Sequence, residues 1–457
     1  MHTQWHSFHL VIGDRSAKPQ QVGGLVKKIL MIAYHFPPLA GSSGIQRTLR
    51  FVQHLPFFGW QPLVLSAHPL AYERTSDDML KEVPEGTVVR RAFALDCARH
   101  LQLGGRYFGW MARPDRWISW KFDAIRAGLQ LIDAYKPDVI WSTYPIATAH
   151  VIASRLHRKT GIPWVADFRD PMAHDGFPAD SRTWQSYLAI EADAIALAHT
   201  STFTTPGAAR MYQQRYPGAA GRMVVLENGY DEESFLSAES SRRPVSKSPK
   251  AKAQPLVLLH SGIIYPLERD PTQLFVALGR LKRAGLLVAG DLCVRLRAAV
   301  HEDLLKALAE TCDVQDMIEL LPAITYLDAL AEMMAVDALL VMQASNCNAQ
   351  IPAKIYEYLR AGKPILGLTD PEGDTAAVLQ QAGIHSVARL DSADEIAVEL
   401  LVLVAALKEA RADLPNPIAV QSASRKGRAE SLAKLLNQVT HQSVIQAGMF
   451  ATNLAAK

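Results

Sequence analysis

The sequence lacks a hydrophobic run long enough to cross a membrane, because no apolar stretch approaches the ~20 residues that a bilayer-spanning helix needs. Residues 1–26 are polar and mixed, without the apolar core of a secretory signal. Cysteine is scarce, and the 4 cysteines form no CxxC pair and no metal-ligand spacing. We therefore exclude a disulfide-rich scaffold and a zinc module, and we expect a cytoplasmic protein whose residues 1–26 form a poorly ordered extension.

Charge of one sign is not in excess either. The 48 Lys and Arg residues and 45 Asp and Glu residues leave a formal net charge of only +3. A charge this small predicts no general affinity for nucleic acid. No Asp-x-Asp pair accompanies a candidate nucleotide loop, so nothing in the pattern indicates a metal site.

What the sequence does contain is enough apolar material for two cores. A chain of 457 residues with 49% hydrophobic and 20% charged residues is typical of a globular protein with two domains. Apolar strand candidates, such as Ile29–Ala33, Asp138–Ser142 and Ala338–Met342, alternate with helical stretches such as 121–135 and 147–159. Continuous apolar strands separated by helices indicate βαβ units and parallel sheets.

A polar break divides this pattern. Residues 237–254, SAESSRRPVSKSPKAKAQ, contain no aromatic residue and almost nothing apolar, which is typical of a linker. The alternation restarts with the strand candidate PLVLLHSG. We therefore predict one α/β domain over 27–236, a linker over 237–254 and a second α/β domain over 255–422, followed by a helical tail over 423–457.

The most informative segment is 341–367, VMQASNCNAQIPAKIYEYLRAGKPILG. It predicts a buried strand, a polar loop, a helix opening at Pro352 and a further strand. Lys354 and Glu357 are three residues apart and share one helix face. Gly362 stands where a helix ends in a left-handed residue. A helix N-terminus attracts phosphate, so a cation and a carboxylate beside it indicate a sugar-nucleotide site.

This segment resembles the donor-binding region of retaining GT-B glycosyltransferases, in particular the family 4 glycosyl transferases of bacterial polysaccharide synthesis. The resemblance implies an α/β, GT-B fold: two doubly wound Rossmann-like domains that face each other across a cleft. In YEYLRAGKPIL, Glu357 occupies the place of the family glutamate that holds the ribose hydroxyls. A second family glutamate, which contacts the donor sugar, is replaced here by Ala349.

The resemblance also covers LLHSGIIYPLERDP, where the family has a Gly-Arg-x-x-x-x-Lys type motif for the donor diphosphate. Gly262 fits this motif, whereas Ile263 replaces the usual arginine. Arg269 is then the best remaining cation. We expect Gly262, Arg269, Lys354 and Glu357 to bind the donor, with Arg269 and Lys354 neutralising the leaving diphosphate.

Two motifs of the first half are expected to line the predicted cleft from the side opposite the donor site. Gly41 and Gly44 follow the first strand and lead into a helix, an arrangement that allows close approach of a ligand. The resemblance places them near the donor phosphates and the acceptor. Arg169 and Asp170 follow an apolar strand, where the family has a catalytic-cleft pair. An internal Arg–Asp ion pair that fixes the loop is an equal alternative.

Three further features are interpreted from their sequence context. His35 and His150 are the histidines nearest the predicted cleft, and His150 is included as a catalytic candidate although a lone histidine is more often packed. Asp374 or Thr375 is expected to cap a helix. Segment 106–126, rich in aromatic and basic residues, is either a packed surface helix or a peripheral contact with the inner membrane.

The sequence therefore predicts a glycosyltransferase that moves a sugar from a nucleotide-sugar to an acceptor hydroxyl, with retention, in cell-surface polysaccharide or glycolipid synthesis. The partners would be the nucleotide-sugar and a glycan or lipid-linked acceptor, with no metal or other cofactor. Two alternatives stay open. One is a nucleotide-sugar epimerase of the same fold, and the other is a non-catalytic binding protein, which the replacements at Ala349 and Ile263 favour.

Overall fold

A computed structural model describes residues 26–41, 44–174, 176–241 and 254–455, with side chains described as far as 442. Its first half is built on a seven-stranded sheet in which all paired strands are parallel. The order across this sheet is β3-β2-β1-β4-β5-β6-β7. The strands are β1 (Lys27–Ile32), β2 (Trp60–Ala67), β3 (Val88–Ala92), β4 (Val139–Thr143), β5 (Trp164–Arg169), β6 (Thr200–Phe203) and β7 (Met223–Val225).

The second half repeats this plan on a six-stranded parallel sheet of order β10-β9-β8-β11-β12-β13. In both sheets the strand order reverses beside the first strand, which creates a crevice at the carboxyl edge where doubly wound folds bind ligands. The strands are β8 (Leu256–Ser261), β9 (Leu292–Arg297), β10 (Ile318–Leu321), β11 (Ala338–Gln343), β12 (Ile365–Thr369) and β13 (Val387–Ala388).

Helices cover the faces of both sheets. Those of the first half are α1 (Gly44–His54), α2 (Cys97–His100), α3 (Trp120–Tyr135), α4 (Thr148–Thr160), α5 (Ser181–Leu197) and α6 (Pro206–Arg215). Those of the second half are α7 (Glu232–Ser241), α8 (Thr272–Arg283), α9 (Glu302–Cys312), α10 (Tyr326–Ala335), α11 (Lys354–Ala361), α12 (Asp374–Gln381), α13 (Ala393–Lys408) and α14 (Pro417–Ser422). The last helix, α15 (Arg425–Ala455), returns to the first half.

The central strands are buried on both faces, which explains their continuous apolar sequences. All five residues of β4 and all six of β11 are buried. Strand β4 contributes Trp141 to one face and Ile140 to the other, and each residue belongs to a different apolar cluster. Full burial of each such side chain contributes about 1.5–3 kcal/mol, so the two faces fix the position of β4 in the sheet.

Helix α7 ends at Ser241, so the predicted linker 237–254 begins inside a helix. The remainder of that linker, apart from Gln254, lies outside the described residues, as does nearly all of the predicted extension 1–26. Helix α11 begins at Lys354, not at Pro352 as predicted. Gly362 has the predicted left-handed conformation, with φ 66°, and its N–H donates to the Leu359 carbonyl at that helix end.

The chain crosses between the halves twice, and the two crossings lie side by side. Tyr230 N–H donates to the Ala423 carbonyl, and Arg425 N–H donates to the Tyr230 carbonyl. A Cβ atom at Gly229 would lie 2.5 Å from the Ala423 oxygen, so a side chain there would collide with the second crossing. After the second crossing, α15 packs against the first sheet through Leu432 and other apolar residues.

Candidate functional site

A polar pocket lies between the halves, where loops that follow strands of both sheets meet. Its walls come from α1, the end of β5, the loop after β7, α11 and α15. The empty volume, including space open to solvent, is about 600 Å³. Five arginines contribute to the lining: Arg47, Arg50, Arg169, Arg425 and Arg428. Arg47, Arg50 and Arg428 are ion-paired with carboxylates, so Arg169 and Arg425 supply the charge that would attract an anion.

Glu357 lies on the first turn of α11 and lines this pocket. Its Oε1 accepts a hydrogen bond of 2.7 Å from the hydroxyl of Tyr326. Burial raises the pKa of Glu357, while the Tyr326 hydrogen bond, Arg425 and Lys354 oppose this rise. The carboxylate is therefore oriented toward the cleft from a fixed helix turn. The predicted contact with ribose hydroxyls stays a prediction.

Lys354 reaches from α11 to the end of β8. Its Nζ donates to the Ser261 carbonyl at 2.6 Å and lies 3.3 Å from Nε2 of His260. Gly262 has φ +117°, and a Cβ atom there would lie 2.8 Å from Nζ. Only glycine combines this backbone conformation with this close approach. Burial and the nearby Arg269 lower the pKa of Lys354 to about 7.

Arg269 is the second cation at this place. Its Nη1 donates to the Ile263 carbonyl at 2.9 Å, and its guanidinium lies 5.2 Å from the ring centroid of Tyr265. Its Nε is buried without a hydrogen-bond partner. Within the part of the chain that the structure describes, neither Arg269 nor Lys354 has a carboxylate ion pair within 4 Å. Two adjacent cations without carboxylate partners favour an anionic ligand.

The four predicted donor-binding residues of the second half therefore come together. Gly262 contacts Lys354, and the charges of Arg269 and Glu357 both act on the ammonium group of Lys354. Their convergence follows from the parallel sheet, because β8 and β11 are neighbours and their carboxyl ends meet.

The glycine loop of the first half approaches the same pocket. Gly41 has φ +80°, and a Cβ atom there would meet nothing within 4 Å, so its conformation alone favours glycine. A Cβ atom at Gly44 would lie 2.4 Å from Nδ1 of His35 and 3.0 Å from Nη1 of Arg169. Gly44 therefore allows His35 and Arg169 to pack directly against the start of α1. Residues 42 and 43 lie outside the described residues.

Arg169 occupies a left-handed conformation, with φ 61°, where β5 loses its regular register with β6. The Thr204 N–H and hydroxyl both donate to its carbonyl at 2.9 Å and hold this unusual backbone. The side chain lines the pocket, whereas Asp170 is exposed. The alternative of an internal ion pair is not seen, since the two side chains form none within 4 Å.

His150 requires a correction, because it lies in the core of the first half and not in the cleft. The ring is fully buried, and its Nδ1 lies 2.7 Å from the Ser142 hydroxyl. Phe168 packs 4.9 Å from it, measured between ring centroids. Burial lowers the pKa of His150 to about 4, so the ring is neutral. A ring without solvent access cannot contact a substrate in this conformation.

Asp374 also differs from its predicted role as a helix cap. Gly373 is the N-cap residue of α12 and makes no side-chain cap. The Asp374 side chain instead crosses to the first half, where its Oδ2 accepts from the Gly207 N–H and its Oδ1 lies 2.7 Å from Nη2 of Arg210. The carboxylate thus caps α6 of the opposite half.

Ala349 lies beside this contact. Its carbonyl accepts a 2.7 Å hydrogen bond from the Thr205 hydroxyl. A Cβ atom at Gly207 would lie 2.5 Å from Cα of Ala349. The position of the second family glutamate is therefore packed directly against the backbone of the opposite half.

Sequence reasoning missed the role of Arg47. It forms a buried bidentate ion pair with Asp167, at 3.0 Å from Nε and 2.9 Å from Nη2, and also donates to the Leu226 carbonyl at 2.9 Å. Thr143 and Thr202 donate to the same carboxylate at 2.8 Å. Burial alone would raise the pKa of Asp167, but these partners hold it below its usual value. The pair fixes α1 against β5.

The arginines at the start of α15 were also missed. Arg425 donates to the Gly229 carbonyl at 3.0 Å and to Oε1 of Gln46 at 2.6 Å. Arg428 forms an ion pair of 2.7 Å with Glu227. The basic sequence SRKGR was the only signal, and it does not show which side of the protein the helix faces. Both residues bring charge from the far end of the chain into the pocket.

No group of three or more metal-ligating side chains that could hold an ion occurs among the residues described. Over the same residues, no helix is both long enough and apolar enough to span a membrane.

Comparison with known protein families shows which family the first half resembles. The family described as "Glycosyl transferase 4-like domain" matches residues 44–229, which include α1, Arg169 and the loop after β7. Residues 44–229 are therefore similar to a glycosyl transferase 4-like domain. No curated protein sequence matches the chain significantly.

Solved structures share the fold over nearly the whole chain. A glycosyltransferase from Rickettsia africae is 12% identical with a TM-score of 0.58, over 90% of this chain and 98% of that one. HepE of Anabaena, solved in complex with UDP, is 14% identical with a TM-score of 0.54, over 94% and 100%. The lipopolysaccharide outer core galactosyltransferase WaaB is 11% identical with a TM-score of 0.55, over 89% and 99%.

These findings confirm the predicted resemblance and the GT-B fold with two Rossmann-like halves. They also support the prediction of a glycosyltransferase enzyme, because the family match falls on the glycosyl transferase 4-like domain itself.

Proposed function

We propose that this protein transfers a sugar, with retention, from a UDP-sugar to an acceptor hydroxyl in the synthesis of a cell-surface glycan or glycolipid. The observation that carries the proposal is that Lys354 lies against Gly262 and within the electrostatic reach of both Arg269 and Glu357. Among the residues described, the two cations have no carboxylate ion pair; together with one oriented carboxylate they match the charges of a nucleoside diphosphate and the hydroxyls of its ribose.

In the proposed reaction, Lys354 and Arg269 bind the diphosphate and stabilise the negative charge that develops on it as the sugar bond breaks. Glu357 holds the ribose hydroxyls from the first turn of α11. These groups are fixed before the ligand arrives, since Tyr326 orients Glu357 and the Ser261 carbonyl orients Lys354. Fixed charges stabilise a transition state without reorganisation during the reaction.

The choice of UDP is supported by relatives of the fold. HepE of Anabaena was solved with UDP and with UDP-glucose. WaaB, a galactosyltransferase of the lipopolysaccharide outer core, supports an acceptor in the same broad class of surface glycans.

The acceptor is proposed to enter from the first half, beside Gly41–Gly44, Arg169 and Asp170. Arg169 lines the pocket and forms no ion pair within 4 Å among the residues described, and Asp170 is exposed at the same sheet edge. Arg169 would neutralise charge on the donor phosphate or acceptor, and Asp170 would accept a hydrogen bond from the acceptor hydroxyl. Closure of the halves around both substrates would exclude water and limit hydrolysis of the donor.

A peripheral contact with an anionic membrane is proposed for segment 106–126. Its side chains include Phe122, 73% exposed, and Trp110 and Phe108, each 69% exposed. Lys121 lies 5.0 Å from the ring of the exposed Phe122. Exposed aromatic residues with adjacent cations are the features that bind a headgroup surface. Sedimentation with phosphatidylglycerol vesicles, compared with phosphatidylcholine vesicles, tests this contact.

A non-catalytic sugar-nucleotide-binding protein is the second candidate. It is favoured by the contact between Ala349 and Gly207, because the place of a sugar-contacting glutamate is filled by the opposite half. Such a protein would bind the nucleotide through the same residues without turnover.

Calorimetry with UDP, GDP and ADP tests the proposed donor site. We expect selective binding of UDP, weakened in Glu357→Ala by about 1–3 kcal/mol through loss of charge-assisted hydrogen bonds. Glu302→Ala is the matched control, since Glu302 is an exposed carboxylate on α9. Unchanged UDP affinity in folded Glu357→Ala would remove the assignment.

Turnover separates the two candidate functions. Release of UDP from a UDP-sugar that depends on added acceptor supports the transferase. Tight UDP binding without UDP release, across a panel of UDP-sugars and lipid-linked acceptors, supports the non-catalytic protein.

A further inference from the structure

His260 is a fully buried histidine on β8 that neither the sequence analysis nor the proposed reaction uses. Its Nδ1 lies 3.0 Å from the Leu340 carbonyl on the neighbouring strand β11. A carbonyl oxygen only accepts hydrogen bonds, so Nδ1 must carry the proton. In the neutral ring, Nε2 is then an acceptor with a free lone pair.

This lone pair faces Lys354. Nε2 of His260 lies 3.3 Å from Nζ of Lys354, whose ammonium group can only donate. A second ammonium proton is directed to the Ser261 carbonyl at 2.6 Å. Two of the three N–H groups of Lys354 are therefore fixed by β8, and one remains for a ligand.

The surroundings keep the His260 ring neutral across the physiological pH range. Burial, together with the positive charge of Lys354, holds the pKa of His260 well below its usual value. A protonated ring would lose the lone pair and repel the ammonium group. The imidazole therefore acts as a neutral acceptor and not as an acid or base.

We propose that His260 is a positioning residue for the donor diphosphate: it orients the Lys354 ammonium group so that the remaining N–H meets the phosphate oxygens. This inference rests on the proposed function, because it specifies how one cation of that donor site is held. The ligand class is a nucleoside diphosphate, and the nucleoside part makes no use of His260.

The alternative is that His260 only packs β8 against β11. The two roles differ in what they do to different ligands. Loss of packing would weaken the binding of every ligand that needs the second half folded. Loss of orientation at Lys354 would weaken the binding of ligands that carry the diphosphate and leave uridine unaffected.

The experiment compares UDP, measured by calorimetry, with uridine, measured by ligand-observed NMR, in wild type, His260→Leu, His260→Gln and Lys354→Met. In His260→Leu we expect UDP binding to weaken by about threefold to tenfold, the range for losing one hydrogen bond, with uridine binding unchanged. His260→Gln supplies an amide oxygen as acceptor and should recover most of the UDP affinity.

A double variant completes the test. If His260 acts through Lys354, His260→Leu should have no further effect on UDP affinity in the Lys354→Met background. Equal weakening of UDP and uridine, or independent effects in the double variant, would overturn the proposal. If Lys354→Met weakens UDP binding and His260→Leu leaves it unchanged, this inference is overturned while the proposed function stands. Absence of UDP binding to wild type would instead overturn the proposed function.

If His260→Leu does not fold, a measurement on the wild-type protein still tests the proposal. Nitrogen-15 NMR of the histidine rings should show the Nδ1-protonated form of His260, with an Nε2 resonance that shifts on adding UDP but not uridine. A ring protonated on Nε2, or one that does not respond to UDP, would refute the role.

Discussion

The carboxylate of Asp374 accepts a hydrogen bond from the backbone N–H of Gly207, although the two residues belong to opposite halves of the molecule. Asp374 is buried, and its second oxygen lies 2.7 Å from Arg210. An N-terminal N–H group of α6 thus obtains its partner from across the cleft. We call the contacts of Thr205, Gly207 and Arg210 with Ala349 and Asp374 the clasp.

Asp374→Ala should weaken the clasp and shift the protein toward a more open arrangement. The variant removes both hydrogen bonds of the carboxylate, so the closed state loses stability relative to the open one. We expect a larger radius of gyration by small-angle scattering and UDP dissociation faster by about threefold to tenfold, as for a change of about 1 kcal/mol.

Arg210→Ala is the internal comparison for this prediction. Its side chain is 58% exposed, so its ion pair should contribute only about 0–1 kcal/mol and produce the smaller change. A larger effect from Arg210→Ala than from Asp374→Ala would contradict the assignment of the capping hydrogen bond as the main interaction.

Gly207→Ala should disturb the same contact by steric overlap. The added Cβ would lie 2.5 Å from Cα of Ala349, and backbone on the opposite half cannot move aside like a flexible side chain. We expect destabilisation of about 1–3 kcal/mol in urea unfolding, or an opened structure by scattering. The matched control is Gly218→Ala, since a Cβ at Gly218 meets nothing within 4 Å. Equal results for the two variants would refute the close approach.

UDP binding should weaken as the pH rises above 7. The pKa of Lys354 in the free protein is about 7, and the diphosphate binds its protonated form. Arg269, Glu357 and the neutral ring of His260 also face this ammonium group. Calorimetry between pH 7 and pH 9 measures the trend, and Lys354→Met should abolish it. A similar trend in Lys354→Met would assign the titration to another group.

The stability of the free protein should change in the opposite direction over this range. A lysine in the unfolded chain keeps its proton to about pH 10. The unfolded state therefore binds more protons than the folded state between about pH 7 and 10, and the contribution of Lys354 to stability increases with pH there.

Asp167→Ala should destabilise the first half by about 3–5 kcal/mol, because it leaves the buried Arg47 charge without its partner. Urea unfolding measures the loss. Asp133→Ala is the control, since Asp133 and Lys136 form an ion pair on the exposed surface, where water screens the charges and the loss should be much smaller. A loss of less than 1 kcal/mol in Asp167→Ala would show that water or another group replaces the pair.

Local sequence patterns predicted the features that depend on neighbouring residues, namely strand positions and helix ends. Apolar strands such as Ala338–Met342 were predicted to within one residue of their observed bounds, and Gly362 ends its helix as expected. The strand β6, Thr200–Phe203, was missed because its sequence TSTF is polar, although the sheet buries all four residues. The two-residue β13 was too short to show a pattern.

Most contacts between segments that are distant in the sequence could not be predicted from such patterns. Lys354 and Gly262 could be expected to meet because parallel strands end at one sheet edge. The Gly207–Ala349 approach depends on how the halves face each other, and neither residue has a side chain that marks it. Asp374 likewise has the local sequence of a helix cap, and only the presence of α6 across the cleft gives its carboxylate a better partner.

The pairing of Tyr230 with Ala423 and Arg425 has a mechanical consequence. Two separate covalent connections that are hydrogen-bonded to each other would act as a single hinge, because they would permit rotation of the halves but oppose sliding or full separation. The clasp would then hold the two halves in the closed arrangement. Opening in each catalytic cycle would need to break only the polar contacts of the clasp. On closing, the hinge would bring the same residues of the two halves back into contact.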